Sequence, residues 1–387
     1  MSKKTIDKIF ITFIVLLAAI GYIKPIVRPH SIITQENRKA NKLPVFSVES
    51  FLKGTYQDNY EKAYADQILF ANSMKQRVKN SYIIEKITYY KLFGGGSYCN
   101  MGSGLYMVND CLVYRQNTIS DEVFDKKAEN INSVNKKLKN IPMYVYYIER
   151  DLDINLDTNE KTNNYNKLIS RLNSGIKTSK LEINNFDEYK NYYYRTDHHW
   201  NYRGVQKGYE EIIRMLYGDR EKYIITDKEV CLNSIVNGSK SRTVGATAYM
   251  KEKFCTYVYK FPEHTTYVNG KESERYGQYG VLLKKPEKEI SYASWYGPDK
   301  GLLEYDYDNI EKENLLIIGD SFDNAIGELL ASHFNKTYII DLRHYEEQIG
   351  QVFNIEEFCE EKDINKVLFI GSVTFYGYGE FFIEGVD

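Results

Sequence analysis

Two short clusters in this chain carry side chains able to do chemistry together: Asp197-His198-His199-Trp200 and Gly319-Asp320-Ser321. A serine hydroxyl becomes a nucleophile when a neighbouring base takes its proton, and imidazole suits that task at neutral pH. The chain has six histidines, at 30, 198, 199, 264, 333 and 344, and two of them follow an aspartate directly. In extended backbone alternate side chains point the same way, so Asp197 and His199 share one face and His198 and Trp200 the other. An aspartate two residues before a histidine can hold its Nδ1–H and leave Nε2 free for a serine proton. That spacing selects His199 as base, Asp197 as its orienting acid and Ser321 as nucleophile. Each motif alone also has an ordinary reading: G-D-S as a capped turn, D-x-H as a surface ion pair.

The elements that must position these residues follow from periodicity. From Thr118 onward helices and strands alternate. Ser120 stands as an N-cap, with Asp121 and Glu122 in the first turn, and Ile131, Val134 and Leu138 recur at helical spacing. Met143–Ile148 reads as a strand, and Tyr165, Leu168, Ile169 and Leu172 as a helix stopped by Gly175. Val205, Tyr209, Ile212, Ile213 and Leu216 form an apolar stripe ended by Gly218. Residues 225–312 break the rhythm with short β-like runs and glycine turns, and read as an insertion. Leu315–Ile318, Ala325–Phe334, Thr337–Ile340, Ile355–Glu360 and Val367–Ile370 then read strand, helix, strand, helix, strand. Such alternation implies a parallel sheet with right-handed crossovers, hence an α/β fold. Ser321 falls directly after a strand and before a helix, where ligands of open α/β sheets sit and where free helix N–H groups face an oxyanion.

Composition narrows the classes. The 387 residues carry 51 basic against 53 acidic side chains, which with no Lys/Arg-rich run argues against a nucleic-acid partner. Five cysteines include no C-x-x-C pair, so no structural zinc is expected; Cys99–Cys111 and Cys231–Cys255 are candidate disulfides of an exported chain. Lys3, Lys4 and Lys8 precede an apolar run from Ile9 to Ile23. Extended from Thr5 to Val27, with Lys8 and Lys24 snorkelling, the stretch reaches spanning length and reads as one transmembrane helix with a cytoplasmic N-terminus. A cleaved signal peptide ending near Ala19-Ile20-Gly21 is the rival. The domain reading is 1–30 as membrane anchor, 31–117 as a helical and short-strand region packing on the core, and 118–387 as the catalytic domain. Within 31–117 a helical stretch spans Tyr60–Lys91, Gly94-Gly95-Gly96 follows, and short strands lie near Gly104–Met107 and Cys111–Tyr114.

D-H-H-W before a helix, followed roughly 120 residues later by strand-G-D-S-helix, resembles the DHHW-motif family of SGNH-type proteins, which includes extracytoplasmic alginate O-acetyltransferases. Glu36-Asn37-Arg38, Pro44, Phe46, Asp66-Gln67 and Asp341-Leu342-Arg343-His344-Tyr345 match its wider pattern, while Ile68–Ser73 departs from the expected Phe-Pro-x-Arg continuation. The resemblance implies an SGNH-hydrolase-like, permuted parallel-sheet sandwich, since ordinary SGNH hydrolases carry the serine first. It makes Ser321 nucleophile, His199 base and Asp197 orienting acid, agreeing with the spacing argument. Asn324 is either an oxyanion or a turn residue, Arg343 a substrate, cap or ion-pair residue, Trp200 core or a sugar platform, and His198 a further site residue. A two-metal or D-H-H-C reading fails for want of ligands and of a cysteine at Trp200. The implied function is O-acetylation of a cell-surface or secreted polysaccharide through an acetyl-serine. No cofactor or metal is expected, and the acetyl group arrives from a donor or a multi-spanning membrane O-acyltransferase partner. A carbohydrate acetylesterase and a non-catalytic glycan-binding scaffold are the alternatives. The insertion's tyrosines (249, 257, 259, 267, 276, 279, 292, 296) and Trp295 read as composition more than as a sugar groove, given 36 tyrosines in the chain.

Overall fold

A computed structural model describes residues 3–385, apart from 28, 30, 34–37, 69–70, 94–97, 221, 225–227, 248, 274–283 and 378–380. Glu36, Asn37, Gly94–Gly96, Tyr276, Tyr279, His30 and the expected start of the insertion at 225 lie outside the described residues. The chain forms two compact units: Met1–Gly95 with Met101–Ser103 and Ser239–Met250, and the remainder.

The first unit is mainly helical. A helix runs from Lys3 to Val27, its large apolar side chains exposed from Ile6 to Val27. Among the described residues no helix is long and apolar enough to cross a membrane. The stretch expected as one helix over Tyr60–Lys91 is two, Thr55–Gln67 and Ala71–Phe93. Buried Asp66 accepts from Asn41 N and Nδ2 (both 2.9 Å) and pairs with Lys75 (2.7 Å), so the Asp66-Gln67 motif ties chain segments together.

The second unit is built on an eight-stranded sheet. In chain order its strands are β1 Met143–Ile148, β2 Lys177–Leu181, β3 Thr265–Val268, β4 Lys271–Glu272, β5 Leu302–Asp306, β6 Leu315–Gly319, β7 Lys336–Ile340 and β8 Lys366–Ser372. The spatial order is β4-β3-β5-β7-β6-β8-β1-β2. Strands β7, β6, β8, β1 and β2 are parallel, and β5, β3 and β4 continue the sheet antiparallel. A central parallel strand is covered on both faces and therefore reads as a continuous apolar run, as in Leu315-Leu316-Ile317-Ile318 of β6, which is wholly buried. Alternation divides these side chains between two cores. Leu315, Ile317, Tyr144, Tyr146 and Ile148 join one with helix Tyr202–Tyr217. Leu316, Ile318, Met143, Val145 and Tyr147 join the other with helices Asp121–Lys137 and Ile355–Glu361.

Two departures from the periodicity bear on the site. The segment expected as one helix over Ala325–Phe334 is a 3-10 turn, Asp323–Ala325, and a short helix, Gly327–Ala331, so a 3-10 turn and not an α-helix follows Ser321. The insertion is not a separate β element throughout. Strands β3, β4 and β5 extend the main sheet, while Lys228–Val236 and Lys253–Val258 pair as an antiparallel ribbon joined by the Cys231–Cys255 disulfide. Cys99, Cys111 and Cys359 form no disulfide, which removes the Cys99–Cys111 pairing.

Candidate active site

Ser321 lies two residues beyond the carboxyl end of β6, and Gly319 is what allows the turn beneath it. A Cβ at Gly319 would lie 2.4 Å from the Asp323 carboxylate and 2.8 Å from Ile370 O of neighbouring β8. Asp320 Oδ1 accepts from Phe322 N (3.1 Å) and locks the turn. Burial pushes the Asp320 carboxyl up to about 6. It raises Asp323 well above the usual range, with the neighbouring carboxylates of Asp341 and Asp320 adding to the effect.

The Asp197–Trp200 loop is held from three sides. Tyr193 and Trp200 form an isolated antiparallel bridge. Asn201 caps helix Tyr202–Tyr217, accepting from Arg203 and Gly204 N–H, and donates its amide to Asn191 O (2.9 Å) and Tyr193 O (3.1 Å). Ahead of the loop the Glu252 carboxylate accepts from Arg195 N (2.9 Å), Thr196 N (3.2 Å) and Thr196 Oγ1 (2.9 Å). Gly238 passes so close to Thr196 that a Cβ there would lie 2.1 Å from its carbonyl oxygen. The insertion thus buttresses the loop.

These elements bring the three sequence-selected residues into one chain of hydrogen bonds. His199 Nδ1–H donates to Asp197 Oδ1 at 2.7 Å, and Asp197 Oδ1 also accepts from His199 N at 3.1 Å. Nε2 is thereby left as acceptor for Ser321 Oγ–H at 2.8 Å. Asp197 and His199 are buried, so the pair works largely out of water. Such an arrangement can remove the serine proton as Oγ attacks an electrophile and hold the resulting imidazolium against a carboxylate.

The other expected site residues divide. His198 has a side chain 32% exposed, its ring tilted 37° against that of His199 with centroids 3.8 Å apart, and lines the pocket over Ser321. Trp200 is fully buried in the core. Asn324 donates to Asp299 Oδ1 at 2.8 Å. Arg343 reaches the pocket wall while its guanidinium is paired with Asp341 and, at 3.1 Å, with Asp299. Burial opposes its charge, but bonding to Asp341 more than offsets that and raises its pKa. Asp341 caps helix Leu342–Ile349.

The pocket is a cavity of about 330 Å³ lined by Arg150, His198, Asp320, Ser321, Phe322, Arg343, Thr374 and Phe381. Arg150, Ser321, Arg343 and Thr374 follow the carboxyl ends of β1, β6, β7 and β8, as an open parallel sheet dictates. Two site neighbours escape a motif-based reading. Arg150 does carry a signal, its position two residues past β1. Tyr292 carries none among 36 tyrosines, yet its ring lies flat on His199, centroids 3.7 Å apart and planes 4° apart. Its short helix, Tyr292–Tyr296, starts with a Ser291/Ser294 capping box.

No family model matches the chain, and no curated protein matches it. Solved structures do. PatB1 of Bacillus cereus, determined with a sulfonyl adduct, superposes with a TM-score of 0.60 at 23% identity, over 73% of this chain and 99% of that one. A DHHW family protein from Eubacterium siraeum superposes with a TM-score of 0.56 at 15% identity, over 73% and 93%. The O-acetyltransferase domain of Pseudomonas putida AlgJ gives a TM-score of 0.43 at 9% identity, over 72% and 93%. In fold, the chain resembles the DHHW-motif protein and PatB1, in line with what its two motifs imply.

Proposed function

We propose that this protein is an O-acetyltransferase acting on a cell-surface or secreted polysaccharide through an acetyl-serine intermediate. The observation that carries the reading is the continuous Asp197–His199–Ser321 hydrogen-bond chain opening into a pocket at the carboxyl ends of parallel strands. The fold likeness to a DHHW family protein supports it. Ser321 Oγ bonds to the acetyl carbonyl carbon while its proton passes to His199 Nε2. The tetrahedral species then collapses, and the donor leaves with that proton. A sugar hydroxyl next gives its proton to Nε2, attacks the acetyl-serine carbonyl, and releases Ser321 as the proton returns. No metal or cofactor takes part; the acetyl group comes from a donor or from a multi-spanning membrane O-acyltransferase.

The helix Lys3–Val27, with its basic start and exposed apolar side chains, supports anchoring with the second unit on the extracytoplasmic side. The test uses the full chain in detergent with an activated acetyl ester, with and without polysaccharide acceptors, reading intact mass and released acetate. The expected result is one acetyl adduct, absent in Ser321→Ala and formed at least roughly a thousandfold more slowly in His199→Ala. That adduct is expected to pass to a sugar in preference to water. Turnover to acetate indifferent to every acceptor indicates an esterase, and folded protein with neither adduct nor turnover indicates a glycan-binding scaffold.

A further inference from the structure

The pocket contains a cation that the Asp197–His199–Ser321 chain does not use. Arg150 is 4% exposed, yet its guanidinium lines the cavity that holds Ser321. Nε–H donates to Asp151 Oδ1 at 2.9 Å. Among the described residues the two Nη groups donate to no protein acceptor, and neither is an enclosed orphan, so that edge is open on a residue that lines the cavity. Tyr114 and Phe322 pack on the guanidinium, ring centroids 5.6 and 6.0 Å from Cζ. Phe322 is the residue after Ser321, so the cation is held against the nucleophile's own turn. Asp151 is fixed in turn by Tyr114 N, which donates to its Oδ2 at 2.8 Å. Arg343, the pocket's other guanidinium, is already bound on two sides by Asp341 and Asp299. A buried guanidinium with an unfilled two-donor edge is a binding site for oxygen, and its worth increases with the exclusion of water.

We propose that Arg150 is a further catalytic residue of the reaction proposed above: its Nη edge donates to the acyl oxygen on which negative charge develops. As Ser321 Oγ bonds to the carbonyl carbon, the carbonyl π pair moves onto that oxygen. The Nη–H groups take up the charge, which returns to the C=O bond when the leaving group departs. The turn after Ser321 is 3-10 and not a regular α-helix N-terminus, and Phe322 N–H is already given to Asp320 Oδ1, so a side-chain cation adds charge that this turn lacks. Asp151 and the two rings preorganise the guanidinium, so it need not be ordered during the step.

The test compares wild type, Arg150→Lys and Arg150→Met as full chains in detergent. Single-turnover acetylation by a neutral activated acetyl ester is measured without acceptor, alongside modification of Ser321 by a sulfonyl fluoride. Arg150→Met is expected to slow both by roughly a hundredfold with the half-saturating ester concentration unchanged. Arg150→Lys keeps the charge opposite Asp151 without the planar fork, and is expected to lose roughly tenfold. If Arg150→Met does not fold, Arg150→Lys carries the decision, its fold checked by thermal unfolding. Unchanged rates in the folded variants overturn the assignment. So does normal acylation with loss confined to transfer onto an anionic sugar, which would make Arg150 an acceptor-binding residue. If wild type is sulfonylated but not acetylated, the acetyltransferase reading fails while the sulfonylation rates still decide Arg150. If Ser321 reacts with neither reagent, both fall.

Discussion

Tyr292 shows what one side chain outside the motifs contributes. Its ring covers a face of His199 at 3.7 Å and leaves the imidazole edge-on to Asp197 and Ser321. An aromatic face attracts a cation, so this ring favours the imidazolium formed when Ser321 loses its proton. Its hydroxyl makes a long bond, 3.3 Å, to Phe322 O. Tyr292→Ala is therefore expected to lower kcat roughly threefold to thirtyfold with little change in KM. Tyr292→Phe should retain the rate. Steady-state kinetics decides; an unchanged kcat in Tyr292→Ala would mean that the ring only fills space.

The helix Tyr202–Tyr217 positions the base through close approach. A Cβ at Gly208 would lie 2.6 Å from the Trp200 ring, and one at Gly204 would lie 2.4 Å from Tyr192 O. Trp200 adjoins His199 in sequence and is fully buried, so it has little room to give way. Gly208→Ala is expected to cost about 1–3 kcal/mol by overpacking, despite alanine's better helix propensity. Urea unfolding measures that loss, and acylation should fall with it because displacement of Trp200 carries His199 away from Ser321. A variant as stable as wild type would show that the helix can shift to absorb the methyl group.

Phe381 of the carboxyl-terminal segment closes one wall of the pocket, and helix Asp121–Lys137 helps hold that segment. Buried Lys127 donates to Phe381 O beneath the rings of Phe375 and Phe382, and Asn130 bonds Ile383 O and N at 2.8 and 3.1 Å. Burial pushes the Lys127 amine down to about 7. Below that pH the folded chain carries a buried charge. Between about 7 and the unfolded value of 10.5 the unfolded chain binds a proton that the folded one does not. Stability from this residue therefore rises with pH across that window, by up to a few kcal/mol. The thermal midpoint of wild type should climb from pH 7 toward pH 10 more steeply than that of Lys127→Met. Parallel curves would place the ammonium in contact with water.

The sequence by itself determined the α/β class, the parallel core strands and the three residues of the hydrogen-bonded chain. Continuous apolar runs such as Leu315–Ile318 and the two-residue spacing of Asp197 and His199 are local patterns, and local geometry governs them. The sequence left Arg343 open among substrate, cap and ion-pair roles. Tertiary structure alone decided the rest. Strands β3, β4 and β5 join the main sheet because edge pairing depends on non-local register, to which short β-like runs are indifferent. The turn after Ser321 is 3-10, although its residues suit a helix, and it brings the buried Asp323 carboxylate to where only a glycine fits at 319. Tyr292 meets His199, and Arg150 shares a cavity with Ser321, across 93 and 171 residues of chain respectively. Only the tertiary fold brings such distant positions to one site, and no spacing rule reaches that far.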